Sequence, residues 1–111
     1  MIPFVRTVEE MREVKKIISV HGLSRSPSFK LWMMVEIPSN VILLEDFIAT
    51  GIDGISIGSN DLTMLILGLD RDNEEVAASF DERNPAVLWA LERIITTWFT
   101  AHRQINICMA L

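Results

Sequence analysis

The residues of this 111-residue chain that could do chemistry stand at the ends of short apolar runs. Arg6 follows Ile2-Pro-Phe-Val5, Glu36 follows Leu31-Trp-Met-Met-Val35, Asn60-Asp61 follows Gly54-Ile-Ser-Ile-Gly-Ser59, and Cys108 lies inside Ile105–Met109. In parallel α/β folds, sites collect at the carboxyl ends of the strands, so this placement carries information. Two carboxylates converging from neighbouring strand ends, Glu36 and Asp61, make a hard-oxygen set suited to Mg²⁺. A cation held there would bind a phosphorylated or enolate ligand and stabilise developing negative charge. Each residue also has a plainer role. Glu36, two residues before Pro38, reads as a partly buried strand-end carboxylate capping the next helix, and Asp61 as the cap of the helix after it. A lone cysteine such as Cys108 is more often a small buried hydrophobe than a nucleophile or acid.

These positions depend on the elements around them. Ile2 to Val5 reads as a strand. Thr7 then heads a helix, with Glu10 three residues on to complete a capping box, an apolar stripe of Val8, Met11, Val14 and Ile18, and Gly22 to stop it. Ser24 to Ser28 is a polar loop. Leu31 to Ile37 is apolar on both faces until Glu36, the mark of a strand inside a parallel sheet. Ser39 or Asn40 can cap a short helix carrying Val41, Leu44, Phe47 and Ile48, which ends before Gly51. Gly54 to Ile57 is a third strand, and Leu62 to Leu69 a short helix. Asp70 to Glu75 is an acidic, solvated connection. Asn84-Pro85 opens a long helix that runs to about His102, and Ile105 to Met109 is a fourth strand. The order βαβαβαβ predicts an α/β fold with a four-stranded parallel sheet and right-handed crossovers. No helix follows the last strand, so the unit reads as part of a barrel rather than a finished doubly wound domain.

Composition narrows the function classes. Half of the residues are hydrophobic and 23% are charged, with a mean hydropathy of +0.31, which excludes a disordered chain. A net charge of −5 argues against nucleic acid, since phosphate binding needs clustered Lys and Arg. No apolar run approaches the roughly 20 residues that span a bilayer. The start of the chain has no signal-peptide pattern, and its single cysteine excludes an internal disulfide and a cysteine-based metal cluster. A cytoplasmic protein is expected. His21 and His102 stand near helix ends with no ligand set beside them, and the acidic run lacks the spacing of an EF-hand loop.

Five segments, in order, carry a resemblance: Met1-Ile-Pro-Phe-Val-Arg-Thr7, Met34-Val-Glu-Ile-Pro-Ser39, Gly58-Ser-Asn-Asp-Leu-Thr63, Phe80-Asp-Glu-Arg-Asn84 and Ile107-Cys108. Together they resemble the C-terminal phosphoenolpyruvate-binding barrel of the phosphoenolpyruvate-utilising enzymes. That group includes phosphoenolpyruvate synthase, pyruvate phosphate dikinase and the sugar phosphotransferase enzyme I. The likeness runs from residue 1 to about 97 and resumes near 105. It implies a barrel that binds phosphoenolpyruvate or pyruvate with Mg²⁺, with phosphoryl passing to a histidine on another domain. Carried over by matching position, it makes Glu36 and Asp61 the Mg²⁺ ligands, with Glu36 also near substrate. Gly58, Ser59 and Asn60 cradle the substrate, and Cys108 exchanges a proton with the enolate methylene carbon. Arg6 resembles a strand-end arginine with no role assigned here. On this likeness residues 1–111 are a single half-barrel unit, the last four strands and so half of a TIM-type (β/α)8 barrel, without the family's phosphohistidine and nucleotide-binding domains.

The departures cluster in the second half. Met64 and Ile66 stand where the family is polar. Met109 and Ala110 follow the cysteine in place of Gly-Gln or Gly-Glu, and Ala101-His-Arg-Gln104 replaces a glycine-containing turn. Trp89, Trp98 and Phe99 occupy positions that are usually small or polar. At roughly 100° per residue, Leu88, Leu91, Ile95 and Trp98 share one helix stripe, with Trp89 nearly opposite and Phe99 at the boundary. Two functions follow as expectations. The first is an altered or engineered, non-catalytic fragment whose apolar positions Met64, Ile66, Trp89, Trp98 and Phe99 serve self-association, as a homodimer, or a protein partner. The second is a fragment that retains Mg²⁺-dependent binding of phosphoenolpyruvate or pyruvate.

Overall fold

The ends of the first helix follow from its local chemistry. Thr7 Oγ1 accepts the Glu10 N–H at 3.1 Å and caps α1 (Val8–Val20). The Glu10 carboxylate reaches back to the Arg6 N–H, one residue before the cap. At the other end Gly22, with φ 81°, donates to Ser19 O and Leu23 donates to Ile18 O. That pair of bonds is a Schellman stop, which requires a left-handed residue at the glycine.

The computed structural model describes residues 1–70, 80–101 and 107–110. After α1 come β1 (Trp32–Val35), α2 (Pro38–Ile42), α3 (Leu44–Ala49), β2 (Gly54–Gly58), α4 (Ser59–Leu67), α5 (Pro85–Ala101) and β3 (Ile107–Ala110). The strands form a parallel sheet in the order β1-β2-β3. Its register pairs Met34 with Ser56 and Ser56 with Cys108.

The expected four-stranded sheet is corrected to three strands among the described residues. Of Ile2–Val5, only Ile2 joins the sheet, through an isolated parallel bridge to Met33. The Ile2 N–H donates to Trp32 O at 2.8 Å, and the Ile2 carbonyl oxygen accepts the Met34 N–H at 2.9 Å. Pairing ends there for two reasons. Pro3 has no N–H to give, and Phe4 turns out of the extended conformation at φ 54°. The first two residues expected in the last strand, 105 and 106, lie outside the described residues, as do His102, Arg103 and Gln104, and 71–75 of the acidic run.

Alternation along the strands separates two faces. Met33, Val35, Ile55 and Ile57 are buried with Leu44, Phe47, Leu62, Ala90, Ile94 and Trp98 in one apolar core. Trp32, Met34, Ser56 and Cys108 point to the opposite face by the period of two. Successive strands are sheet neighbours, and right-handed crossovers between such neighbours lay every helix on the same side. The helices accordingly pack on one another, α3 against α1, α2 and α5, and α4 against α5.

Three helix expectations change. The one short helix expected to start at a Ser39 or Asn40 cap is two, α2 with Ile37 at its N-cap position and α3 after Leu43. The helix α4 begins at Ser59 rather than Leu62, with Gly58 at its N-cap position, so Asp61 lies in the first turn and is not the cap. On α5 the buried stripe is Val87, Ala90, Ile94 and Trp98, turned about one residue from the one expected. Leu88 and Ile95 are exposed, and Leu91 packs at the margin of the core. Trp98, grouped with the partner-facing residues, is 0% exposed and belongs to the chain's own core, whereas Trp89 is 61% and Phe99 40% exposed.

Candidate functional site

Glu36 leaves the carboxyl end of β1 on the face away from the helices, yet it is only 3% exposed. Two neighbouring backbones make this possible. Phe4, in its left-handed conformation, turns its N–H onto Glu36 Oε1 at 2.8 Å. Such a backbone costs a bulky residue on the order of 1 kcal/mol or more, so the surrounding contacts must hold it. On the other side, Gly58 leaves space: a Cβ there would stand 2.8 Å from both Glu36 Cβ and Glu36 Oε2. Any larger residue would displace the carboxylate.

The early start of α4 supplies the second carboxylate. Asp61, on the first turn after β2, comes within hydrogen-bonding reach of the Glu36 side chain. Burial pushes the Glu36 carboxyl above the usual carboxylate range, and the Asp61 charge pushes the same way, while the Phe4 N–H opposes both. A carboxyl whose folded pKa exceeds its unfolded value binds its proton more tightly when folded. Its favourable contribution is therefore complete below the unfolded value and is lost as pH rises through the raised one. Urea unfolding across a pH series is thus expected to show stability falling as pH climbs above the ordinary Glu range, near 4.3. Glu36→Gln should flatten that fall, and an unchanged slope would refute the assignment.

Asn40, which sequence reasoning considered only as a helix cap, ties the site together. It is wholly buried on α2, where its Oδ1 accepts the N–H groups of Glu36 and Ile37, each at 3.2 Å. Its Nδ2 donates to Val5 O at 2.7 Å. One amide thus fixes the end of β1 against the segment that carries Phe4. Ser39 Oγ adds a bond to Arg6 O at 2.8 Å. The only sequence signal for Asn40 was its place three residues after a strand-end turn with Pro38 at the first helical position. Nothing in the sequence marked Phe4, because a positive φ at phenylalanine is set by its surroundings.

The structure brings Glu36, Gly58 and Asp61 together, with Ser59 buried and Asn60 half-buried on the same first turn of α4. Cys108 is exposed. It pairs with Ser56, one side-chain step along β2 from Gly58, and so shares the face that carries Glu36. The exposed Arg6 places its guanidinium 6.0 Å from the centre of the Phe4 ring. Beside the carboxylates lies an open groove lined by Phe4, Asp61, Met64, Leu65, Leu69 and Asp70. Of the expected partner-facing residues, Met64 lines this groove. Ile66 and Trp89 instead line a separate apolar groove with Pro38, Val41, Ile42 and Ala86.

Among the described residues, no group of three or more His, Cys, Asp or Glu side chains forms a metal cage. A pair of carboxylates still fits Mg²⁺, which is commonly held by one or two carboxylates and completes its shell with water and substrate oxygens. The mutual repulsion of a buried and a half-buried carboxylate is what a divalent cation would relieve.

Comparison with known proteins identifies the family. The model of the PEP-utilising enzyme, PEP-binding domain family matches residues 1–111. The phosphoenolpyruvate synthase of Aeropyrum pernix is 49% identical over 110 residues, 97% of this chain but 13% of the relative. That of Neisseria meningitidis serogroup B is 49% identical over 109 residues, and that of Escherichia coli K12 is 47% identical over 109 residues, each covering 97% of this chain and 14% of the relative. The chain thus spans about an eighth of the length of these curated relatives. By these matches the chain belongs to the PEP-utilising enzyme family, as a fragment that carries its PEP-binding domain signature.

Proposed function

We propose that this chain carries the Mg²⁺-holding part of a phosphoenolpyruvate- or pyruvate-binding site, in half of a (β/α)8 barrel from a phosphoenolpyruvate synthase-like phosphotransferase. The observation that supports it is the buried Glu36 facing Asp61 across the side-chain-free Gly58. In this reading Glu36 and Asp61 ligate the cation through carboxylate oxygens. Gly58, Ser59 and Asn60 border the ligand at the start of α4, where backbone N–H groups favour an anion. Bound Mg²⁺ would supply charge neutralisation and polarise a ligand oxygen. The Cys108 thiol would give its proton to the enolate methylene carbon, leaving a thiolate, and would recover it in the reverse direction. The sheet order, with every helix on one side, is what a closed barrel needs. Phosphoryl transfer by these residues alone is not expected, since the family places the accepting histidine on another domain. The described helices include none long and apolar enough to cross a membrane, and the proposed setting is the cytoplasm.

Calorimetric titration of the full chain with phosphoenolpyruvate, with and without Mg²⁺, tests the reading. Saturable heat that requires Mg²⁺ is expected. Equal heat in both arms, or none, would overturn it.

A second reading, a non-catalytic altered fragment that self-associates or binds a protein partner, is favoured by one observation. Leu88, Trp89, Ile95 and Phe99 are exposed on α5, and the sheet face of Trp32, Met34 and Cys108 lies opposite the helix layer. Two copies could cover these surfaces by closing one barrel. Sedimentation over a range of concentrations should then show a dimer that Trp89→Arg and Phe99→Arg dissociate; a monomer throughout would dismiss the dimer.

A further inference from the structure

The opposite end of the sheet, where the strands begin, carries chemistry that the carboxyl-end site does not use. Lys15 on α1 and Arg25 in the loop before β1 converge over Gly51. A Cβ on Gly51 would stand 2.8 Å from Lys15 Nζ and 2.8 Å from Arg25 Nη1. The two cationic nitrogens are therefore no further apart than twice that distance. Gly51 itself adopts φ 95°, a conformation that glycine reaches without strain, and its missing side chain is what lets both cations approach.

Each cation has a local partner that aims it. Lys15 Nζ donates to the Thr50 carbonyl at the end of α3. Arg25 grips Asp53 through Nε at 3.1 Å and Nη2 at 2.7 Å. That leaves Nη1 as the nitrogen turned toward Lys15. Asp53 is already shared, because it also accepts the Leu31 N–H at 2.8 Å and feels the charge of Lys30. Burial draws the Lys15 ammonium below the usual lysine range, and Arg25 adds to this by repulsion. Three cations thus gather around one carboxylate, in a chain whose net charge is −5.

Beside them opens a cleft of ≈ 230 Å³. Lys15, Arg25, Ser19 and Ser24 give it two cations and two hydroxyls, and Ile18, Leu23, Phe29 and Leu31 give it an apolar wall. Arginine and lysine nitrogens side by side, with hydroxyl donors, match the several acceptor oxygens of a phosphate group. The apolar wall suits a short hydrocarbon substituent.

We propose that this cleft, at the end of the sheet away from Glu36 and Asp61, binds a small phosphate monoester with an apolar substituent. The phosphate sits between Lys15 and Arg25, where it relieves their repulsion, and the substituent lies along Leu23 and Phe29.

The test is a titration of the full chain, Mg²⁺-free with chelator at fixed ionic strength, followed by amide ¹H–¹⁵N shifts. Inorganic phosphate and butyl phosphate are the probes. Saturable shifts are expected at Ser19, Ser24, Arg25 and Leu31, with Phe4, Glu36 and Asp61 unmoved. Butyl phosphate should bind about tenfold more tightly than phosphate if its chain buries against the apolar wall. Lys15→Gln should weaken both probes by about tenfold, the size of one charge-assisted bond. Should Lys15→Gln lose its fold with its Thr50 contact, Ser24→Ala is the second variant, with weakening of both probes and an otherwise unchanged spectrum expected. Linear, unsaturated shifts spread over the basic surface would overturn the proposal, as would full-strength binding by the folded Lys15→Gln or Ser24→Ala chain. Because Mg²⁺ is absent and the two ends report on different amides, failure here leaves the carboxyl-end reading to its own test.

Discussion

Replacing Asp61 with asparagine is expected to weaken Mg²⁺-dependent binding of phosphoenolpyruvate by on the order of 100-fold, about 2.8 kcal/mol. The substitution keeps the size of the side chain and its place on the first turn of α4, so it removes charge and little else. Glu36 is already fixed by the Phe4 N–H and by Asn40 at its own backbone. It cannot swing to take over a second ligand position. With Asp61 neutral, a cation would meet one carboxylate instead of two, and although Glu36 loses the upward push of the Asp61 charge, burial still holds its pKa up. The urea unfolding curve separates loss of the site from loss of the fold: removing a like charge beside a buried carboxylate should leave stability unchanged or slightly higher. Undiminished Mg²⁺-dependent affinity in Asp61→Asn would exclude this aspartate as a ligand, whatever the fate of the fold.

Trp98→Ala is expected to destabilise the chain by about 3–5 kcal/mol, the usual range for removing a buried large aromatic from a core. Trp98 is 0% exposed, the bulkiest of the fully buried side chains, and it packs with Ile94 and Leu62 behind the sheet. Typical domains have only about 5–15 kcal/mol to lose, so the variant should unfold early in urea or not fold at all. Trp89→Ala provides the contrast. With 61% of its surface exposed, it should shift stability by no more than about 0.5 kcal/mol. Both residues are tryptophans on α5. Equal effects on chemical denaturation would show that the burial assigned to this helix is wrong.

These two tryptophans show where sequence reading reaches and where it stops. The angular separation of positions 89 and 98 on a helix follows from its periodicity, so their placement on different faces was legible. Which residues centre the buried face was not. Leu88 and Ile95 are as apolar as Val87 and Ile94, and a helix this apolar can be rotated by a residue with little change in pattern. Packing against α3 and α4 chose the rotation. The same limit applies to the first segment. Ile2 to Val5 has the composition of a strand, but a left-handed Phe4 ends pairing after Ile2, and its reason lies 32 residues away in the Glu36 carboxylate.

By itself the sequence determined the α/β class and the alternation of helices and strands after the first segment, the boundaries marked by Thr7, Gly22 and Pro85, and the positions of Glu36 and Asp61 after apolar strands. These depend on local chemistry: caps, stops and runs of side chains that read the same wherever the chain lies. Only the tertiary structure decided that Asp61 enters the helix rather than capping it. It also decided that Gly58 makes room for the Glu36 carboxylate and that Asn40 and Phe4 lock the same carboxylate in place. Each of those is a contact between elements distant in the chain, fixed by close packing of a core in which few voids survive. The residue types could be read in order; their meeting required the fold.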